Sequence, residues 1–156
     1  MDEITVTPKW ITFPAISIEA RSDHDSDSPE REMGFFLGSS LNWDHEDNTL
    51  NANVILKNSE EEDPAEYNRE YNFSIHAYGV FEVSDDYLKL SEKTSKKILI
   101  DISSAMIGSI REQLTALTSR SPWGSYTLPF LDTEELADNL YKSALKKMQK
   151  KRSKKA

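Results

Sequence analysis

Between residues 33 and 43, Met33, Phe35, Leu37, Ser39, Leu41 and Trp43 alternate with Gly34, Phe36, Gly38, Ser40 and Asn42. A period of two sends successive side chains to opposite faces of an extended chain, so this stretch predicts a strand. The pattern returns over residues 49–57, where Leu50, Ala52, Val54 and Leu56 share a face, and over residues 67–83, where Tyr71, Phe73, Ile75 and Ala77 do. Gly79 inside the last run marks a bulge or a close backbone approach. Residues 10–20 predict the first strand, after a polar start that Pro8 keeps from extending. Ile11 and Phe13 share one face there, but beyond Pro14 the apolar positions slip to Ile16, Ile18 and Ala20. That slip predicts a bulge at Pro14-Ala15 and an edge position. The acidic stretches 21–32 and 58–66 lack periodicity and read as loops, and residues 44–48 read as a tight polar turn.

After residue 97 the period changes. Met106, Ile110, Leu114 and Leu117 recur at four, four and three residues, the spacing of one helix face, with Asp101 or Ser103 as the cap. Residues 98–102 lead into this helix, and Tyr87, Leu88 and Leu90 suggest a short helical turn before it. Pro122 stops the helix, and Trp123 to Tyr126 form a turn that leads through Leu128-Pro129. Asp132 with Glu135 three residues later opens a second helix, in which Leu136, Leu140, Ala144 and Met148 recur every four residues. Four strands followed by two helices define an α+β fold, an antiparallel sheet with helices packed on one face. Residues 1–148 are expected to form one domain, and residues 149–156 a basic, disordered tail.

Composition modifies this picture in three ways. Apolar residues make up only 37% of the 156-residue chain, so the core is modest and subunit association is expected to complete it. There is no cysteine, which excludes disulfides and thiol catalysis. No apolar run approaches the length of a membrane span or a secretory signal, so no membrane insertion and a cytoplasmic location are expected. The net charge of −8 hides an asymmetry. Eight of the 19 Lys and Arg fall in residues 142–156, which hold no acid; the first 141 residues carry 11 basic and 27 acidic residues, a net charge of −16. Such a body repels nucleic acid, which only the tail would attract.

Candidate chemistry is sparse. Asp23-His24-Asp25 and Asp44-His45-Glu46-Asp47 carry metal-ligand types, but neighbours on an extended chain point apart and rarely share an ion. His76 lies one residue off the apolar face of its strand and reads as a surface histidine. No nucleophile elbow and no phosphate-cradling glycine loop is present, and the carboxylates crowd into loops. The expectation is a protein that is not an enzyme and needs no metal and no cofactor. What remains is apolar surplus. Phe35 and Phe36 must face opposite ways, and Trp123 and Tyr126 sit in a turn. Exposed apolar surface rimmed by charge marks an interaction site.

The run Arg111-Glu112, Thr115, Leu117, Ser119-Arg120, followed by an aromatic turn and Leu128-Pro129, resembles the SecB family of export chaperones. The resemblance spans roughly residues 10–141. It implies an open four-stranded sheet with a crossover loop after the first strand, matching residues 21–32, then a long helix and a C-terminal helix. It also implies a homo-oligomer, a tetramer built as a dimer of dimers. The implied function is an ATP-independent holdase for unfolded client protein. Phe35, Leu37 and Leu41 on the second strand and Leu136 and Leu140 on the last helix are the expected client-binding residues. Met106, Ile110, Leu114 and Leu117 are expected to face the sheet or a partner helix. Arg111, Glu112, Ser119 and Arg120 carry the family motif, and Arg111 and Glu112 are expected to form a helix-surface ion pair. Export chaperones of this family contact the SecA motor through acids on the outer sheet face. Two of those positions align with Ala15 and Ser74 here, and only Glu19 remains. Divergent SecB-like proteins of this kind serve antitoxins in toxin–antitoxin–chaperone modules, some with antiphage roles. An antitoxin client is therefore the first expectation. The alternatives are a general export chaperone delivering to SecA, and a nucleic-acid- or ribosome-associated adaptor working through the basic tail.

Overall fold

A computed structural model describes residues 4–22, 24, 27, 35–58 and 70–155, with side chains described through residue 150. Four strands, β1 (Val6–Ala20), β2 (Phe35–Asp44), β3 (Thr49–Asn58) and β4 (Tyr71–Val83), form one antiparallel sheet in the order β1-β4-β3-β2. The first two strands in the chain therefore lie at opposite edges of the sheet. The fold is α+β, with helices α1 (Glu92–Thr118) and α2 (Thr133–Lys155) following the strands.

β1 begins earlier than its sequence pattern predicts, at Val6, and passes through Pro8 with a register shift between Pro8 and Trp10. A second shift lies between Thr12 and Ala15, where the apolar face slips at Pro14. Both prolines are tolerated because β1 is an edge strand and an unpaired N–H is not needed on its open side. β2 and β3 pair without interruption from Phe35↔Asn58 to Asp44↔Thr49. The turn between them is held by Asp44, whose Oδ1 accepts from the N–H groups of Glu46 (3.1 Å) and Asp47 (3.3 Å), and Asn48 takes φ 58°. Gly79 pairs in register with both Ile11 and Ala52, so it is no bulge. It is a close approach instead, since a Cβ there would lie 2.6 Å from Met106 Sδ and 2.7 Å from Phe81 Cε2.

One face of the sheet carries Leu41, Leu50, Ala52, Val54, Leu56, Phe73, Ile75 and Ala77, all buried against α1 and α2. α1 starts about three turns before the sequence expectation. Ser91 is its cap, with Oγ accepting from Thr94 N–H at 3.2 Å. The polar first turns conceal a buried line through Ser95, Ile98, Leu99, Ile102 and Met106. A short 3-10 turn, Tyr87–Lys89, precedes it, and Ser95 Oγ donates to Tyr87 Oη at 2.7 Å. Burial pushes the pKa of the Tyr87 phenol up, because it disfavours the phenolate.

Met106, Ile110 and Leu114 are fully buried as their spacing predicts, but Leu117 is 47% exposed. The buried line continues to Thr118 instead. Its Oγ1 donates to Leu114 O (2.6 Å) and accepts from Tyr126 N–H (2.7 Å), so a hydroxyl occupies the place assigned to a leucine. α2 is helical to Lys155, beyond Met148 where the apolar repeat ends. Lys, Arg and Gln are good helix formers, and the propensity outlasts the apolar face.

Candidate functional site

The family-like motif begins on α1 with Arg111 and Glu112 and runs on into the segment joining the helices, and the structure gives each of its residues a place. Arg111 makes no ion pair with Glu112. Its Nε donates to Leu128 O (3.0 Å) and Nη2 to Pro129 O (3.3 Å), while the guanidinium lies 5.0 Å from the Phe130 ring centroid. The expected helix-surface ion pair is thus replaced by a clamp on two backbone carbonyls, geometry that suits the planar guanidinium fork. Glu112 and Arg120 are exposed, and Ser119 caps α1, its Oγ donating to Ala116 O at 2.7 Å. Tyr71 anchors the turn from the sheet: its hydroxyl donates to Gly124 O (2.7 Å) and accepts from Trp123 N–H (3.1 Å). Trp123 Nε1 donates to Arg21 O at 2.9 Å, so the turn is also tied to the end of β1. These contacts are architectural.

α2 packs along β2 and α1. Leu41, Leu136 and Leu140 are each fully buried, Ala137 and Ala144 nearly so. This corrects the expectation that Leu41, Leu136 and Leu140 line an accessible groove. The four-residue repeat of α2 closes the core above β2, because the sheet's own apolar face needs a cover there. Phe35 and Leu37 differ: they lie on the same sheet face but are only half-buried. The Phe35 ring stacks toward Phe73 (centroids 6.1 Å apart), which in turn meets Tyr126 (5.6 Å).

Beside Leu37 a cleft of about 500 Å³ opens between β2 and α2, within the ~300–1,000 Å³ typical of ligand clefts. Leu37 and Ser39 line it from the strand, and Lys142, Lys146, Lys147 and Lys150 from the helix. Sequence reasoning named Leu37 but missed the lysines, which it assigned to a tail. One contact fixes the geometry. Leu41 N–H donates to Ser143 Oγ (3.1 Å), not to β3. In an antiparallel ladder alternate residues send both backbone groups to the same side. With the register unbroken from Phe35 to Asp44, Leu37 and Ser39 therefore also direct theirs outward, toward the cleft. Among the described residues β2 is an edge strand, capped by α2 at Leu41 and open beyond it.

At the other end of α2, Lys96 Nζ lies 3.2 Å from Glu92 Oε1, 3.8 Å from Asp138 Oδ1 and 5.4 Å from the Tyr141 ring centroid. The hydrogen bond to Glu92 pushes the pKa of the Lys96 ammonium up, and the cluster links α1 to α2 at the surface. Among the described residues no element covers the sheet's outer face. Ala15, Ser17 and Glu19 of β1 pair with His76, Ser74 and Asn72 on this face, and Glu19 is the carboxylate among them. His76 Nε2 lies 2.8 Å from Asn53 Oδ1. Trp10 and Phe36 are each 53% exposed, and Lys57 Nζ covers the Phe36 ring at 4.9 Å. Among the described residues no group of three or more His, Asp or Glu is placed to hold a metal, and no helix is long and apolar enough to cross a membrane. Asp23 and Asp25 lie outside the described residues.

No family model matches the chain, and no curated protein does. Solved structures do. A SecB-like chaperone of Mycobacterium tuberculosis, determined in complex with a ChAD peptide from the HigA1 antitoxin, matches with a TM-score of 0.53 at 13% identity, over 81% of this chain and 91% of that one. A Streptococcus agalactiae protein of unknown function matches with a TM-score of 0.52, also at 13% identity, over 83% of this chain and 100% of that one. The fold of this chain is SecB-like, a divergent version of it.

Proposed function

We propose that this protein is an ATP-independent holdase that captures exposed apolar segments of an unfolded client, an antitoxin in the first instance. The observation that carries the reading is the half-open edge of β2. Phe35 and Leu37 present apolar surface, and the adjoining backbone is directed toward an open cleft, within a SecB-like fold. The similar mycobacterial chaperone, solved with an antitoxin peptide, supports the choice of client class. Capture of this kind needs neither cofactor nor catalysis. Apolar anchors supply affinity, and the acidic body keeps the loaded protein soluble. The working form is a homo-oligomer, with the 15-residue edge strand β1 available for pairing between copies. Coupling to SecA is weak in this reading, because Ala15 and Ser74 stand where export chaperones carry acids.

The test exchanges Phe35 and Leu37 together for Ser. Suppression of aggregation of a chemically unfolded substrate is expected to fall severalfold, while the thermal midpoint drops by only about 5 °C, since both side chains already contact water. Suppression equal to that of the parent would remove β2 from the working surface.

A further inference from the structure

We infer that the cleft between β2 and α2 selects client segments that are extended and acidic, so that carboxylates, and not apolar residues alone, determine which chain is held. The inference rests on the holdase reading and specifies its substrate. Four lysines of α2 line the cleft, and among the described residues that line it there is no acid and no aromatic residue. This charge stands out on a protein whose first 141 residues carry −16.

The spacing fits a strand. Lys142 and Lys146 lie four residues apart on one helix face, a separation of about 6 Å along the axis. Alternate residues of an extended chain repeat at about 6.7 Å. A peptide laid along the open edge of β2 would pair its backbone with the outward groups of Leu37 and Ser39. Every second side chain would then rise toward α2, near enough to the lysine repeat for successive carboxylates to meet successive ammonium groups. The intervening side chains would lie on the opposite face. Backbone pairing supplies sequence-independent affinity, and the alternating pockets supply selection. A nucleic acid suits the cleft less well. Single-stranded binders stack bases on aromatic rings, which the described residues of this lining lack, and the acidic body repels phosphates.

The test uses the full chain and three fluorescent peptides of about twelve residues, with Val and Leu alternating with Glu, Gln or Lys. Anisotropy is expected to show the Glu peptide binding about fivefold or more tightly than the Gln peptide at low salt, with the difference largely gone in about 0.5 M NaCl. The substitution pair Lys142→Glu and Lys146→Glu is expected to reverse the order in favour of the Lys peptide. The milder pair Lys142→Gln and Lys146→Gln is expected to make the Glu and Gln peptides equivalent, with the parent's circular dichroism and thermal midpoint. Glu and Gln peptides that bind the parent equally, each displaced by an unfolded substrate, would overturn the acidic selection and leave the holdase reading standing. Failure of all three peptides, together with no suppression of aggregation, would overturn both. A single-stranded RNA of about 20 nucleotides that binds more tightly than the Glu peptide and displaces it would assign the lysines to nucleic acid and overturn the inference.

Discussion

Two stripes run side by side along α2, and both repeat every four residues. Leu136, Leu140 and Ala144 form one, and Lys142, Lys146 and Lys150 the other. The first is buried at 0–6% exposure beneath the helix; the second faces the cleft at the edge of β2. They differ in what lies opposite. The apolar stripe sits over the inner face of the sheet, where water must be excluded from Leu41, Leu50 and Val54. The lysine stripe borders a strand edge that has backbone groups to satisfy and, among the described residues, no neighbouring strand. A repeat of four thus shows that a helix presents a face, while the facing surface decides whether that face closes a core or receives a partner.

The sharpest break of this comparison is the exchange of both Leu136 and Leu140 for Ser. Each removes a buried isobutyl group and buries an unpaired hydroxyl, at a cost of about 2–5 kcal/mol per site. Domains are stable by only about 5–15 kcal/mol, so the double variant is expected to be largely unfolded at 25 °C by circular dichroism. A midpoint within about 3 °C of the parent's would place the apolar stripe outside the core.

That outcome reverses the role the sequence alone suggests for these leucines, and the reason is physical. The spacing of Leu136 and Leu140 establishes an apolar face; it carries no information about which element covers it. β2, β3 and β4 are legible to within a few residues, because alternation reports directly on a sheet with one covered face. The edge position and the slip at Pro14 in β1 are legible as well. The true start of α1 is not, because Glu92, Lys93, Lys96 and Lys97 hide an interior line of Ser95, Ile98 and Leu99. Thr118 is illegible for a related reason: its burial depends on hydrogen bonds to Leu114 and Tyr126, and a polar residue leaves no mark in an apolar repeat. The cleft is half legible. Leu37 follows from the strand pattern, but the lysines look like a solvated tail until β2 is placed beside them.

Ser143 lies between the two stripes and marks where the covered part of the β2 edge ends. Its hydroxyl accepts from Leu41 N–H in a partly buried setting. Ser143→Ala leaves that donor without its partner and is expected to cost about 1–2 kcal/mol, read as a shift of the denaturant midpoint at unchanged slope. No shift would mean that water reaches Leu41 N–H, and that the open edge extends farther along β2 than the cleft.

The smallest expected effect tests the lysine stripe on stability alone. If Lys142 and Lys146 serve a partner and not the fold, their charges contribute little to the isolated chain. Both are exposed, and exchange to Gln keeps most of the aliphatic stem and the helix propensity. Surface substitutions of this kind usually stay within about 0.5 kcal/mol. The double variant Lys142→Gln and Lys146→Gln is therefore expected to move the thermal midpoint by no more than about 3 °C. Removing two neighbouring like charges on a helix relieves repulsion at i, i+4, so any small shift should be upward and should fade as salt is added. A clear, salt-resistant loss of stability would show that the lysine stems cover β2 as core, and the contrast between the two stripes would then be one of degree.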